Sequence, residues 1–133
     1  MEYINWNYKG TNVKAVLIPC RYGNNGNISL TLIQDIQDAE EKGAPMSTVV
    51  PGMPELANAS ITINIEKLPE GPGKDFLAAL DIGSFPEVEA LVKEYNLGEP
   101  YNGQTLRYKD GKDYPVYRMR WQEIEKYMLD DMT

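Results

Sequence analysis

The stretch CRYGNNGNISLTL, which runs from Cys20 to Leu32, predicts a β-hairpin and decides the fold class. Residues 24–27 at its centre are Asn-Asn-Gly-Asn, and these residue types tolerate the positive φ that tight hairpin turns require. After the turn, Ile28, Leu30 and Leu32 alternate with polar residues, which is typical of a strand with one face toward the core. We therefore expect antiparallel β structure around this point.

The segments on either side also predict strands. Residues 3–9 and 12–20 are rich in β-branched and aromatic side chains, and Lys9-Gly10-Thr11-Asn12 between them has the chemistry of a turn. Residues 59–65 show the clearest alternation in the chain, and the alanine and isoleucines at their odd positions are predicted to face the core. Residues 76–80 are all apolar, which fits either a strand or one helical turn.

Residues 85–97 predict the main helix. Ser84 and Glu87 have the spacing of a capping box, and apolar side chains follow at positions 88, 91, 92 and 95. Gly98 is the expected C-cap of this helix. The tail from 121 to 132 has apolar residues at helical spacing and predicts a short C-terminal helix.

Two further segments complete the predicted fold. Residues 35–42 are acidic, which predicts a solvated loop or a short surface helix with Asp38 among its solvated charges. The Asp110-Gly111 pair marks a last hairpin between residues 105–108 and 114–120. The order of elements predicts a single α+β domain over residues 1–133, with a mostly antiparallel sheet of five to seven strands, one main helix and the short C-terminal helix.

Composition narrows the function classes. The 133 residues include no histidine and one cysteine, Cys20, which excludes zinc sites of clustered Cys and His and any thiol–imidazole pair. We therefore predict no enzyme activity, no cofactor and no metal site. The N-terminus has no signal peptide and no apolar run approaches the length of a membrane span, so we expect a cytoplasmic protein with no membrane partner. The formal net charge of −7 disfavours binding to duplex DNA.

Binding is better supported than catalysis, because several arginines stand near aromatic residues. An arginine fork contacts phosphate bidentately and an aromatic face stacks on a base, so such pairs predict a nucleotide pocket. The alternative is that the arginines lie on a solvated strand face and pair with nearby acids. Phe85, at the helix entrance, either covers a ligand ring or packs in the core. The arginines are Arg21 beside Tyr22, Arg107 beside Tyr108, and Arg118 and Arg120 near Trp121.

Residues 71–74, Gly-Pro-Gly-Lys, have some likeness to a phosphate-binding loop. The segment lacks the full spacing of such a loop, and Pro72 removes one of the amides that would hold a phosphate. A turn is therefore the favoured interpretation.

Much of the chain, roughly residues 13–120, resembles an uncharacterised domain family of small phage and mobile-element proteins. In that family an Arg-Tyr/Asn-Gly hairpin precedes a Gly-x-Pro turn, a strand and a helix over a small sheet, and the resemblance implies the same order here. The motifs are RYGNNGNISL (21–30), GAP (43–45), ITINI (61–65), Phe76 leading into Leu91-Val92, and LGEP (97–100).

The chain is also similar to phage proteins that defeat Thoeris immunity by sequestering a cyclic ADP-ribose signal. This similarity implies a non-enzymatic anti-defence protein that binds a cyclic nucleotide or ADP-ribose-type molecule as a homo-oligomer. It implies phosphate contact by Arg21 and adenine stacking by Phe76 or Phe85. The chain departs from the pattern at residues 81–84, Asp-Ile-Gly-Ser, where an acidic-Asn-acidic-Gly run is expected. The candidate ligand-binding residues are Arg21, Tyr22, Phe76, Phe85, Arg107, Arg118 and Arg120.

A shorter similarity concerns acidic antirestriction proteins that imitate DNA, and it covers residues 22–28. The net charge of −7 agrees with it. It implies an alternative function, an acidic inhibitor that binds a host defence protein directly, although the acids here are spread along the chain rather than spaced on successive helices. A third alternative is a structural or accessory protein of a mobile element with no ligand.

Overall fold

Two antiparallel sheets of four strands each and three short helices make up the structure, a computed structural model that describes residues 2–128. In chain order the elements are β1 (Ile4–Tyr8), β2 (Thr11–Arg21), β3 (Ile28–Gln34), α1 (Ile36–Glu41), β4 (Asn58–Ser60), β5 (Thr62–Ile63), β6 (Phe76–Leu80), α2 (Val88–Glu94), β7 (Gly98–Arg107), β8 (Asp113–Met119) and α3 (Trp121–Glu125). The first sheet has the strand order β1-β2-β3-β4, and the second has the order β5-β6-β8-β7.

The predicted α+β class with antiparallel pairing is confirmed, but the strand count differs. Within residues 2–128, eight strands form two sheets, whereas five to seven strands in one sheet were expected. One buried cluster draws side chains from both sheets, among them Leu32 of β3 and Leu80 of β6. The C-terminal helix α3 begins at Trp121, and residues 129–132 of the predicted tail helix lie outside the described residues.

Both predicted N-terminal hairpins are present. Lys9 and Gly10 take φ angles of 50° and 87° in the turn between β1 and β2, which are the left-handed values that a two-residue hairpin turn requires. In the turn between β2 and β3, the Gly26 N–H donates to the Tyr22 carbonyl at 2.9 Å and the Tyr22 N–H donates to the Asn27 carbonyl at 2.8 Å. Local turn chemistry therefore specifies these two hairpins.

Ile61 is the point at which the chain passes from one sheet to the other. Its N–H donates to the Leu30 carbonyl of β3 at 2.8 Å, and its own carbonyl accepts from the Asp81 N–H, after β6, at 2.9 Å. The predicted continuous strand over 59–65 is therefore wrong, because this crossing divides it into β4 and β5. Ile61 is fully buried, whereas Ile63 and Ile65 are only half-buried.

The main helix is shorter than predicted, and its predicted capping box does not form. Helix α2 covers Val88–Glu94, and its N-cap residue Glu87 makes no side-chain capping bond. The Asp81 carboxylate instead accepts the Ser84 N–H at 3.1 Å, so Ser84 belongs to the turn before the helix. After the helix, Asn96 takes the left-handed conformation with a φ of 55°.

Gly98 begins β7 and is not the C-cap that the sequence predicts. A Cβ atom at this position would lie 2.8 Å from both the Arg118 carbonyl oxygen and the Met119 sulfur. The position therefore requires glycine because β8 approaches β7 too closely for a side chain. Residues 76–80 form the strand β6, in which every residue is buried, and β6 lies between β5 and β8.

Asp38 of α1 is a buried structural carboxylate, which corrects its prediction as a solvated charge. Only 3% of the residue is exposed. It accepts hydrogen bonds from the Lys42 ammonium, from the Gln34 amide at 3.0 Å and from the Lys14 N–H at 3.0 Å. Burial opposes ionisation, yet these bonds outweigh it and hold the pKa of Asp38 below its ordinary value. The carboxylate therefore ties α1 to β2 and β3.

The outer edge of β1 is occupied by a side chain from the end of α2. The Tyr95 hydroxyl accepts the Asn5 N–H at 2.8 Å and lies 3.4 Å from the Asn5 carbonyl oxygen, to which it donates. The Tyr95 ring also packs edge-on against Tyr127, with ring centroids 5.5 Å apart. Tyr95 thus satisfies both backbone groups that Asn5 directs away from β2.

Candidate functional site

A groove of about 590 Å³ lies between three segments that the two sheets bring together. These segments are the turn between β2 and β3, the connector before β6, and the first turn of α3. Its wall combines cationic and apolar side chains, which include Arg21, Lys67, Lys74, Phe76, Leu77 and Trp121.

Four asparagines, which we call the asparagine clamp, join the hairpin turn to the connector. They are Asn24, Asn25, Asn27 and Asn64. The Asn64 side-chain oxygen accepts from the Asn25 amide at 3.0 Å and from the Asn27 amide at 3.1 Å, and its own amide donates to Asn24 at 2.9 Å. The asparagine-rich turn therefore has a structural role beyond turning the chain, since it fixes one wall of the groove.

Asn27 extends this connection along the connector. Its amide donates to the Glu66 carbonyl at 2.7 Å, and its side-chain oxygen accepts the Leu68 N–H at 3.0 Å. Because both ends of one short side chain are bonded to the connector backbone, residues 66–68 are held at a defined distance from the hairpin. Lys67, between these two contacts, is thereby placed on the groove.

Three cationic groups line the groove. The Arg21 guanidinium donates one bond, from Nη1 to the Gly26 carbonyl at 3.0 Å, which leaves its remaining N–H groups for a ligand. The Lys67 ammonium lies 3.5 Å from the Asn25 carbonyl. No hydrogen bond or ion pair within residues 2–128 engages the Lys74 ammonium. The groove therefore presents cationic donors with unused capacity.

Asp75 organises the floor of the groove. Its Oδ2 accepts from Nε and Nη2 of Arg118 at 3.1 and 2.9 Å, and its Oδ1 accepts the Trp121 N–H at 3.1 Å. This single carboxylate neutralises Arg118 and fixes the start of α3. The Trp121 indole N–H in turn donates to Glu125 at 2.5 Å, which orients the half-buried indole on the groove wall.

The structure brings two of the seven predicted ligand-binding residues to the groove, Arg21 and Phe76. Phe76 is only 5% exposed, so it contributes little ring surface. Arg118 lies next to the groove through Asp75. Tyr22 follows Arg21 but turns away, and its hydroxyl lies 3.2 Å from the Thr62 hydroxyl.

The other three predicted residues lie elsewhere. Arg107 pairs bidentately with Asp113 at the far end of the β7–β8 hairpin, with bonds of 3.0 and 3.1 Å. Arg120 pairs with Glu99 at 3.1 Å. Phe85 is a core residue, 5.9 Å from Trp6 between ring centroids. Arg107 and Arg120 therefore pair with acids, and Phe85 packs in the core. These are the alternatives to ligand binding noted for them from the sequence.

Of the groove's cations, Lys67 and Lys74 were not predicted as ligand contacts, and Trp121 was noted only as the aromatic neighbour of Arg118 and Arg120. Lys74 belongs to the Gly-Pro-Gly-Lys segment, which forms a turn as favoured, with the Asp75 N–H donating to the Pro72 carbonyl at 3.1 Å. The likeness of this segment to a phosphate-binding loop was thus the one local feature of the sequence that indicated a ligand contact by Lys74. Lys67 carries no local signal, since long-range contacts of Asn27 with Glu66 and Leu68 place its segment at the groove.

The arrangement is suited to binding an anion with an attached ring, since cationic donors and an indole line one concave surface. Within residues 2–128, no group of three or more His, Cys, Asp or Glu side chains is placed to hold a metal ion. None of the helices in the same range is long and apolar enough to cross a membrane. Comparisons of the chain with protein-family models, with curated proteins and with solved structures found no match.

Proposed function

We propose that this protein binds, without chemical turnover, a small nucleotide-derived anion in the groove. The observation that carries the proposal is the meeting of Arg21, Lys67 and Lys74 around a wall that contains the Trp121 indole. Guanidinium and ammonium groups bind phosphate, and an indole face stacks on a base. The absence of histidine from the sequence supports binding rather than catalysis, because the commonest general acid–base residue is missing.

The balance of charge in the groove supports an anionic ligand. Three acids also line it, Glu70, Asp75 and Glu125. Asp75 is neutralised by Arg118, and Glu125 is bonded to the Trp121 indole. Because the indole is neutral, Glu125 keeps its charge, and with Arg118 counted the groove has four cations against three acids, an excess of one positive charge. In a chain of net charge −7, such a local collection of cations favours an anion at this place over others.

The biological role that fits such binding is sequestration. In this proposal the protein acts for a phage or mobile element and withdraws a nucleotide-derived immune signal from the host, as the similarity to cyclic ADP-ribose sponges implies. Sequestration requires affinity and concentration only, which is consistent with a groove built from donors and a stacking surface.

Calorimetry and thermal shift of the full chain against ADP-ribose, ADP, cyclic mononucleotides and inorganic phosphate test this proposal. A ligand at about 100 times its Kd adds about 2.7 kcal/mol of stability. We expect Arg21→Ala and Lys74→Ala each to weaken binding about tenfold, the order of one charge-assisted hydrogen bond. Arg107→Ala is the matched control, because Arg107, at the end of β7, pairs with Asp113 at the start of β8, about 20 Å along that strand from its groove end. No binding across the panel, or an equal loss in Arg107→Ala, would overturn the proposal.

A second candidate, direct binding to a host defence protein, is favoured by one observation. The loop between α1 and β4 exposes three large apolar side chains, with Met46 at 59%, Val49 at 87% and Val50 at 48% exposure. Exposed apolar groups that lie together are typical of protein contact sites. The variant Val49→Asp distinguishes the two candidates. If the groove is the functional site, the variant binds the small molecule as the parent chain does. If the loop is the functional site, the variant no longer inhibits the host protein.

A further inference from the structure

The chain contains two Asn-Gly pairs, Asn25-Gly26 and Asn102-Gly103, in opposite structural settings. Glycine has no Cβ to hinder its backbone nitrogen, so Asn-Gly is the pair in which that nitrogen most readily reaches the asparagine side chain. The two sites therefore share one intrinsic chemistry, and any difference between them comes from the fold.

The reaction of such a pair is deamidation of the asparagine. In this reaction the glycine nitrogen loses its proton and forms a bond to Cγ of the asparagine. The bond between Cγ and the side-chain nitrogen breaks, ammonia leaves, and a five-membered succinimide remains. Water then opens either imide carbonyl, which yields aspartate or isoaspartate. The net change consumes one water and releases one ammonia. The reaction needs a mobile side-chain amide and a backbone N–H that is free to lose its proton.

The asparagine clamp and the hairpin turn together deny both requirements at Asn25. Its side-chain oxygen accepts the Asn27 N–H at 3.1 Å and its side-chain amide donates to Asn64 at 3.0 Å. The attacking nitrogen, that of Gly26, is itself bonded to the Tyr22 carbonyl at 2.9 Å. Reaction at Asn25 therefore requires the clamp to open first.

Asn102 lies in a different environment. It is exposed, and the pairing between β7 and β8 shifts register between Pro100 and Thr105, so residues 101–104 have no partner across the ladder. Asn102 and Gly103 take left-handed φ angles of 53° and 67°. No hydrogen bond from the described part of the chain holds the Asn102 side chain.

We propose that Asn102 is a site of spontaneous, succinimide-mediated deamidation and that the asparagine clamp protects Asn25 from the same reaction. The product adds one negative charge to β7, an edge strand of the second sheet. In its isoaspartate form it also inserts a methylene group into the backbone at the irregularity of that strand. The protein thus has one Asn-Gly pair that deamidates in the folded state and a second Asn-Gly pair that the fold protects.

Peptide mapping by mass spectrometry of the full chain, incubated in mildly alkaline buffer, tests the proposal. We expect the peptide with Asn102 to lose ammonia and gain water at least about tenfold faster than the peptide with Asn25, because clamp opening limits the latter. In concentrated denaturant the two rates should converge. Equal rates in the folded chain, or the same unequal rates in denaturant, would overturn the role given to the fold.

A clamp variant adds an independent readout. Asn64→Ala removes the partner of the Asn25 amide and should accelerate deamidation at Asn25 while leaving the rate at Asn102 unchanged. Asn58→Ala is the control, since among the described residues the Asn58 amide bonds only to the nearby Leu56 carbonyl. Circular dichroism verifies that each variant is folded. An Asn25 rate that stays the same in folded Asn64→Ala would contradict protection by the clamp.

Discussion

The Arg118 guanidinium and the Asp75 carboxylate form a two-bond pair, with Nε and Nη2 at 3.1 and 2.9 Å from the same oxygen, Oδ2. The other oxygen, Oδ1, accepts the Trp121 N–H. The pair therefore neutralises Arg118 and directs its Nε and Nη2 donors to Asp75, although its sequence context predicts a phosphate contact. It also links the strand β6, through the residue before it, to the start of α3.

Replacing Asp75 tests this relationship in two directions. We expect Asp75→Asn to lower the free energy of unfolding by about 1 kcal/mol, since the pair is partly exposed. The same change should raise affinity for an anionic ligand, because it removes a negative charge from the groove and frees Arg118. Urea unfolding and calorimetry measure the two effects. Asp113→Asn, which breaks the exposed Arg107 pair, should change neither; weaker anion binding in Asp75→Asn would contradict the expectation.

Loss of the asparagine clamp should loosen the groove wall. Asn64→Ala removes three side-chain hydrogen bonds, and we expect it to destabilise the protein by about 1–3 kcal/mol in urea unfolding. Asn58→Ala should stay within about 0.5 kcal/mol of the parent chain, as a surface change away from such a network does. Equal stabilities of the two variants would show that the clamp contributes nothing.

Gly98 should tolerate no side chain. A Cβ there would lie 2.8 Å from the Arg118 carbonyl oxygen and from the Met119 sulfur, so we expect Gly98→Ala to cost about 1–3 kcal/mol through displacement of β8. Gly23→Ala is the control, because no atom of residues 2–128, apart from its two chain neighbours, lies within 4 Å of a Cβ at that position. Thermal unfolding compares the two, and similar midpoints would contradict the close approach of the strands.

Asp38 should make stability depend on acid. Its folded pKa lies below the ordinary value, so the unfolded chain binds a proton at a higher pH than the folded chain does. The stability from Asp38 is therefore fully present above about pH 4, the range of an unperturbed aspartate, and is lost as the pH falls through the lower folded value. Urea unfolding across this range should show a shallower loss in Asp38→Asn. An unchanged slope would assign the acid sensitivity to other carboxylates.

The elements set by local chemistry could be predicted from the sequence. Residues that tolerate positive φ placed the two N-terminal hairpins correctly. Of the two alternatives for the apolar run 76–80, a strand or one helical turn, the structure shows the strand β6. The capping box failed because Asp81, which hydrogen-bonds the Ser84 N–H, competes for the same backbone. The division into two sheets could not be predicted, since it depends on bonds from Ile61 to Leu30 and Asp81, residues distant in sequence.

The site was less predictable than the fold. Arginines beside aromatic residues included Arg21, which lies at the groove, but the same pattern fits Arg107 and Arg120, which pair with Asp113 and Glu99. Whether an arginine faces a groove or a neighbouring acid depends on strand register. Lys67 reaches the groove only because the asparagine clamp holds its segment, a contact between residues about 40 positions apart.

The hydroxyl of Tyr95 is bonded to both backbone groups of Asn5 and so covers part of the exposed edge of the first sheet. A bare strand edge is a template on which further copies can add, and such addition leads to open-ended polymerisation. With its donor and acceptor already satisfied from within the same molecule, Asn5 offers an incoming strand no backbone bonds, which makes β1 a poorer template for a further strand.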